Sequence, residues 1–134
     1  MNIVDKLLTV DPEVFGKAEE REIPMKRLSK LLGEPFSVCC RGISGGRFTE
    51  ISSTAVDDDG DVAYDKAFDV HVRLALAGMV SPDLKDKQLL EHYHCPTPKD
   101  LLLLLFNGGE IAKIADEVTD LSGYGKDSDK KIKN

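Results

Sequence analysis

The chain has 134 residues, of which 41% are hydrophobic and 31% charged, and its formal net charge is −6. This length corresponds to one domain with its own core, and the composition is that of a folded globular protein. The acidic balance argues against a nucleic-acid-binding or anionic-membrane-binding surface, because both require a basic patch. Three cysteines, two of them adjacent, indicate reduced thiols in a cytoplasm rather than a disulfide framework.

The first third of the chain predicts short helices and a small sheet. Apolar residues at helical spacing in 3–8 predict an opening helix, and Asp11-Pro12 predicts the start of a second. Residues 23–25 predict an edge strand because Pro24 lacks a ladder donor. A helix over 28–32 is followed by a strand over 36–41, whose residues alternate between two faces. The start of the chain carries acids and no basic leader, so no targeting segment is expected.

The remaining two thirds predict mostly helices. An acidic loop, DDDGD, separates a helix that begins near Phe48 from the strongest helical pattern of the chain. The later predicted helices cover residues 64–80, 86–93, 98–106 and 111–121. The predicted fold class is therefore α+β and predominantly α-helical, with five to six helices and a two- or three-stranded β element near residues 22–43. Residues 1–125 are expected to form one domain, and residues 126–134 a polar, disordered tail.

Two histidines and a cysteine lie close together in EHYHCPTPKD, residues 91–100. On a helix, His92 and His94 would point about 200° apart, so they could not bind one ion together. A metal-binding module through His92, His94 and Cys95 is one hypothesis, but a helix boundary is favoured. His94 suits a left-handed C-terminal cap, and Thr97 followed by proline suits the start of the next helix. No metal site and no cofactor are predicted.

The turn GISGG, residues 42–46, matches the GxSxG pattern of the α/β-hydrolase nucleophile. A small serine hydrolase that uses Ser44 is therefore the alternative function. The chain is too short for that fold and lacks its βαβ units, so a glycine turn that opens a helix is the favoured interpretation.

Two further polar features have structural interpretations. DDDGD lacks the oxygen ligands that both ends of a calcium loop need, and an acidic surface loop is favoured. The predicted apolar face of the long helix consists of Tyr64, Phe68, His71, Ala75 and Met79, with Leu74 and Gly78 beside it. His71 on this face is interpreted as a hydrogen-bonded core histidine.

The run LLLLLF, residues 101–106, would cover every side of a helix with apolar surface. It is far too short to cross a bilayer. Such a helix must be buried in its own core or against another chain, and both alternatives stay open.

Several stretches, in their order and spacing, resemble the XkdN-like tail assembly chaperones of tailed phages and defective prophages. These stretches are IPMKRLSKLLGEPF, PDLKDKQLLE, TPKDL and GGEIAKIA followed by LSG. The resemblance covers most of the chain beyond about residue 20.

The resemblance implies a non-enzymatic assembly factor that binds the tape-measure protein and helps recruit tail-tube subunits. It also implies a place in the bacterial host cytoplasm and absence from the mature virion. We expect apolar helix faces to make these contacts and to support self-association as a homo-oligomer. The predicted contact residues are Leu103, Leu104, Phe106, Ile111 and Ile114.

Overall fold

The computed structural model describes residues 2–125 of the chain. Within them lie eight α-helices and one three-stranded sheet. The helices are α1 (Ile3–Leu8), α2 (Pro12–Gly16), α3 (Lys26–Leu32), α4 (Gly45–Ser52), α5 (Ala67–Gly78), α6 (Lys87–His92), α7 (Pro98–Leu105) and α8 (Gly108–Leu121). The strands are β1 (Glu20–Pro24), β2 (Ser37–Arg41) and β3 (Met79–Ser81).

The fold class is confirmed as α+β and mostly helical, but the predicted helix count was too low. Three of the helices, α1, α2 and α6, have only five or six residues, and the sequence pattern had indicated a helix at each of these places. Each begins at a side chain that accepts a backbone hydrogen bond, namely Asn2, Asp11 and Asp86. Such caps satisfy amides that would otherwise be unpaired at the start of a helix. The predicted tail, residues 126–134, lies outside the described residues.

The sheet has the order β1-β2-β3, and both pairs are antiparallel. Ile23 lies opposite Val38, and Pro24 ends β1 at the edge of the sheet, as the sequence predicted. Val38 and Cys40 are completely buried on one face of β2, which confirms the predicted alternation.

Strand β3 was not predicted, because its first two residues, Met79 and Val80, were assigned to the end of the long helix. Helix α5 ends at Gly78, and Met79 then pairs with Cys40 of β2. A β-carbon on Gly78 would lie 2.8 Å from the carbonyl oxygen of Arg41 and would overlap the side chain of Val118. This close approach brings the end of α5 against both β2 and α8, so the chain leaves the helix along the sheet.

Helix α5 is buried on more than one side, and the predicted apolar face was wrong in its first half. Tyr64 precedes the helix and is 86% exposed, Phe68 is 48% exposed, and His71 is only half-buried. The buried residues are Val70, Val72, Leu74, Ala75 and Gly78. The physical reason is that α5 lies between two hydrophobic clusters. Val72 and Ala75 belong to the main core, whereas Val70 and Leu74 pack with Ile51 and Ala115 in a smaller cluster.

The edge strand β1 is joined to α8 by ion pairs. Arg21 donates to the carboxylates of both Glu117 and Asp120, the latter at 2.9 Å. These two hydrogen bonds raise the pKa of the Arg21 guanidinium above its ordinary value. Helix α8 thus holds the sheet at its outer strand as well as through the core.

Candidate partner-binding surface

Helix α7 begins as its sequence predicts. Thr97 is the N-cap, and its hydroxyl oxygen accepts a hydrogen bond from the amide of Asp100 at 3.2 Å. Pro98 occupies the first helical position, where the lack of an N–H costs nothing. The start of α7 is therefore fixed by local chemistry, and this fixes which leucines face inwards.

The leucine run has one buried side and one exposed side. Leu101 and Leu102 are completely buried and Leu105 is half-buried. Leu103 and Leu104 are 41% and 57% exposed. The core therefore covers only part of the helix and leaves two adjacent leucine side chains with apolar surface in water.

The other three predicted contact residues lie in the core. Phe106 is 2% exposed, Ile111 is 1% exposed and Ile114 is fully buried. Their burial gives them a role in packing α7 and α8 against the sheet. A contact between these three side chains and a partner stays a prediction, whereas Leu103 and Leu104 offer surface in the folded monomer.

Arg27 links α3 to the region where α7 ends and α8 begins. Its guanidinium donates to the carbonyl of Leu105 at 2.7 Å and to the carboxylate of Glu110 at 2.7 Å. Glu110 also accepts from the amide of Asn107 and completes a capping box at the start of α8. Burial alone would raise the pKa of Glu110, but Arg27 and the Asn107 amide outweigh it and lower that pKa.

Other exposed apolar side chains were not predicted as surface. Leu31 and Leu32 of α3 are 70% and 57% exposed, although Leu28 of the same helix is buried. Both short N-terminal helices, α1 and α2, contain no buried residue. For α1 a sequence signal was present, since the apolar residues at helical spacing in 3–8 predict a helix with one apolar face.

Ser44 has the helix-capping role that the glycine-turn interpretation predicted. It is the N-cap of α4, and its hydroxyl oxygen accepts from the amide of Arg47 at 3.2 Å. The preceding turn is packed against the end of α8. A β-carbon on Gly42 would lie 2.5 Å from the carbonyl oxygen of Leu121, and the amide of Ile43 donates to the Ser122 hydroxyl at 2.9 Å.

The two histidines and Cys95 occupy the predicted helix boundary. His94 has a φ of 55°, which is the left-handed conformation expected after the end of α6. The amides of His94 and Cys95 donate to the carbonyls of Glu91 and Leu90, which is the hydrogen-bond pattern of a Schellman motif. Among residues 2–125, no three His, Cys, Asp or Glu side chains are grouped closely enough to hold a metal ion.

The adjacent cysteines point to opposite faces of β2. Cys40 is buried in the core, and burial raises the pKa of its thiol to about 11. Cys39 is half-buried, and both burial and the nearby Glu20 carboxylate raise its pKa. Because the thiolate is the reactive form, both thiols are weak nucleophiles at neutral pH.

The DDDGD stretch is a surface loop that makes its own hydrogen bonds. The carboxylate of Asp57 accepts from the amides of Asp59 and Asp61, and the loop is closed by a bridge between Val56 and Val62. These are the hydrogen bonds of a polar turn, as the sequence interpretation expected.

The fold and this surface define a small α+β protein whose core helices also present leucines outwards. In the part of the chain that the structure describes, no helix has the length and apolarity to cross a membrane. The model of the phage XkdN-like tail assembly chaperone family matches residues 4–134, and the chain belongs to that family.

One solved structure is similar over nearly its whole length. The crystal structure of the protein YqbN is 25% identical in sequence, and the match covers 85% of this chain and 97% of YqbN with a TM-score of 0.56. Among curated proteins, no match was found. Members of this family are phage tail assembly chaperones, and that role is not catalytic.

Proposed function

We propose that this tail assembly chaperone binds the tape-measure protein of its phage and helps to bring tail-tube subunits to it, without catalysis. The observation that carries the proposal is the half-exposed pair Leu103 and Leu104 on α7. The opposite side of that helix is fixed in the core by Leu101 and Leu102. A rigid helix with apolar surface suits a long, largely helical client.

The size of this surface favours weak, repeated contacts. Complete burial of a leucine side chain is worth about 1.5–3 kcal/mol, and roughly half of each of these side chains is already covered. The pair would therefore supply about 1.5–3 kcal/mol per chaperone, which corresponds to a change in Kd of roughly ten- to 150-fold. Many copies along one client would raise the overall affinity through multivalency.

The proposed role places the protein in the bacterial host cytoplasm while tails are built, and outside the mature virion. The net charge of −6 favours solubility and opposes non-specific adsorption to DNA. Self-association would let several copies cover one client.

The test is co-expression of the full chain with fragments of the tape-measure protein, followed by measurement of fragment solubility and co-purification. Wild type is expected to keep the fragment soluble and to co-purify with it. The double variant Leu103→Ser/Leu104→Ser is expected to lose at least tenfold in recovered complex while remaining folded, because both side chains are already partly in water.

The matched control is Leu31→Ser/Leu32→Ser, which removes two leucines of similar exposure from α3. It is expected to recover as much complex as wild type. No co-purification with wild type would contradict the proposed function, and equal losses in the two double variants would contradict its assignment to α7.

A further inference from the structure

The first helices of the chain stand apart from the core. Residues 2–16, here called the N-terminal segment, contain α1 and α2, and neither helix buries a single residue. Large apolar side chains are left in water, among them Leu8 at 79% and Phe15 at 68% exposure. The others are Ile3, Val4, Leu7, Val10 and Val14.

These helices are nevertheless well formed. The side chain of Asn2 accepts from the amide of Asp5, and that of Asp11 accepts from the amide of Glu13. Helices of five and six residues are unstable alone in water, since isolated helices need roughly 12–15 residues. A preformed pair of such helices with exposed apolar faces indicates a surface that another element covers.

A cleft of about 700 Å³ offers complementary chemistry. It lies between α4, α5, the start of α7 and the loop after β3. Its apolar lining includes Ile43, Leu76 and Met79. Its cationic side chains are Arg41, Arg47, Arg73, Lys85 and Lys99, against the two lining acids Glu50 and Asp83. We call it the basic cleft.

The positive charge of the cleft is only partly neutralised. Asp69 pairs with Arg73 at 2.8 Å and with Lys99 at 3.5 Å. Arg47 has a longer contact of 3.6 Å with Glu50. The N-terminal segment has the opposite balance, with Asp5, Asp11 and Glu13 against the single lysine Lys6. A basic, apolar-lined cleft and an acidic, apolar segment therefore match in both charge and hydrophobicity.

The segment also leaves the domain beside the cleft. The carbonyl of Glu19 accepts from the amide of Gly42. In the ladder between β1 and β2, Glu20 lies opposite Arg41, which lines the cleft. Only residues 17–19 connect α2 to β1. Because segment and cleft lie at the same end of β1 and β2, two copies related by a twofold axis could exchange segments reciprocally.

We propose that the chain forms a homodimer in which the N-terminal segment of each copy docks into the basic cleft of the other. The apolar faces of α1 and α2 cover the apolar lining, and Asp5 and Glu13 face the arginines and lysines of the rim. This exchange does not involve the exposed leucines of α7 and goes beyond the binding of a tail protein.

The test uses charge reversal in the full chain. The segment variant is Asp5→Lys/Glu13→Lys, which keeps the capping side chains Asn2 and Asp11. The cleft variant is Arg47→Glu/Lys85→Glu. Molar mass is measured by light scattering across a range of concentrations, with circular dichroism to verify folding. Wild type is expected to be a dimer, and each variant alone is expected to raise the dimer Kd at least tenfold.

Mixing the two variants gives the decisive result. In the mixed dimer, the reversed segment meets the reversed cleft and the unchanged segment meets the unchanged cleft, so both contacts are attractive again. Dimer is therefore expected to return in the mixture. The control Lys30→Glu/Lys113→Glu makes the same change in charge as the cleft variant at exposed lysines outside the cleft and is expected to stay dimeric.

A monomeric wild type would overturn the proposal, whether the segment then lies free, folds onto its own cleft or waits for another protein. So would a mixture that stays monomeric, or a control that dissociates as far as the cleft variant.

Discussion

At Gly78, helix α5 approaches both β2 and α8 so closely that no side chain fits. The β-carbon of an alanine there would overlap Val118 and lie 2.8 Å from the backbone oxygen of Arg41. A backbone carbonyl within a sheet cannot move aside without loss of ladder hydrogen bonds. This one residue therefore sets the distance between the longest packed helices and the sheet.

Gly78→Ala is expected to lower the free energy of unfolding by about 1–3 kcal/mol, because the added methyl overpacks the junction. Chemical denaturation followed by circular dichroism measures the change. Gly46→Ala is the matched control, since Gly46 lies in α4 with nothing within 4 Å of the added carbon. It is expected to be neutral or more stable by up to about 1 kcal/mol. Equal effects at the two positions would contradict the packing explanation.

Helix caps and turn conformations were predictable from the sequence, because they depend on residues only a few positions apart. Thr97 caps α7, Asp11 caps α2 and His94 adopts the left-handed conformation, as expected from residue type and spacing alone. The constraint at Gly78 was not predictable, because its neighbours Arg41 and Val118 are distant in the chain. A glycine in an apolar helical pattern gives no sign of what it touches.

Among the elements, the side chain of Arg27 joins α3 to the end of α7 and the start of α8. Arg27 reaches the Leu105 carbonyl and the Glu110 carboxylate, while Glu110 also caps α8 through the Asn107 amide. The lowered pKa of Glu110 means that its ionised form is favoured in the folded state. This contribution to stability is fully present above the unfolded-state pKa, about 4.3, and is lost as the pH falls through the folded-state pKa.

Glu110→Gln is expected to lower stability at pH 7 and to flatten its dependence on pH in the acid range. Glutamine keeps the capping hydrogen bond but not the charge that pairs with Arg27. Urea denaturation in steps from pH 7 to pH 3 measures the slope. If the stability of the variant falls below pH 5 as steeply as that of wild type, the ionisation of Glu110 does not contribute to the pH dependence of stability.

The leucine run shows where element-scale prediction reached its limit. Composition alone predicted a helix apolar on all sides, and it left open whether the core or a partner would cover it. The cap at Thr97 sets the orientation, and the core then takes Leu101 and Leu102 but not Leu103 and Leu104. Which side a helix buries depends on distant elements. Strand β3 was missed for the same reason, since its three residues become a strand only by pairing with β2.

In the whole molecule, one sheet and the helices α5, α7 and α8 form the main core, while apolar side chains also remain outside it. The family and the fold class were both predicted from the sequence. The partner surface was predicted less well, because the pattern that marks a core residue also marks an interface residue. Phe106, Ile111 and Ile114 have that pattern and lie in the core, while Leu103 and Leu104 have it and lie at the surface.

The most direct test of the central claim, that this chain works by offering apolar helix surface to a tail protein, is site-specific photocrosslinking. A benzophenone side chain is placed at Leu103 in one sample and at Lys113, an exposed polar position on α8, in another. Each is irradiated in cells that co-express the tape-measure protein. We expect an adduct with the tape-measure protein from position 103 and little or none from position 113. No adduct from position 103, or equal adducts from both positions, would contradict the account.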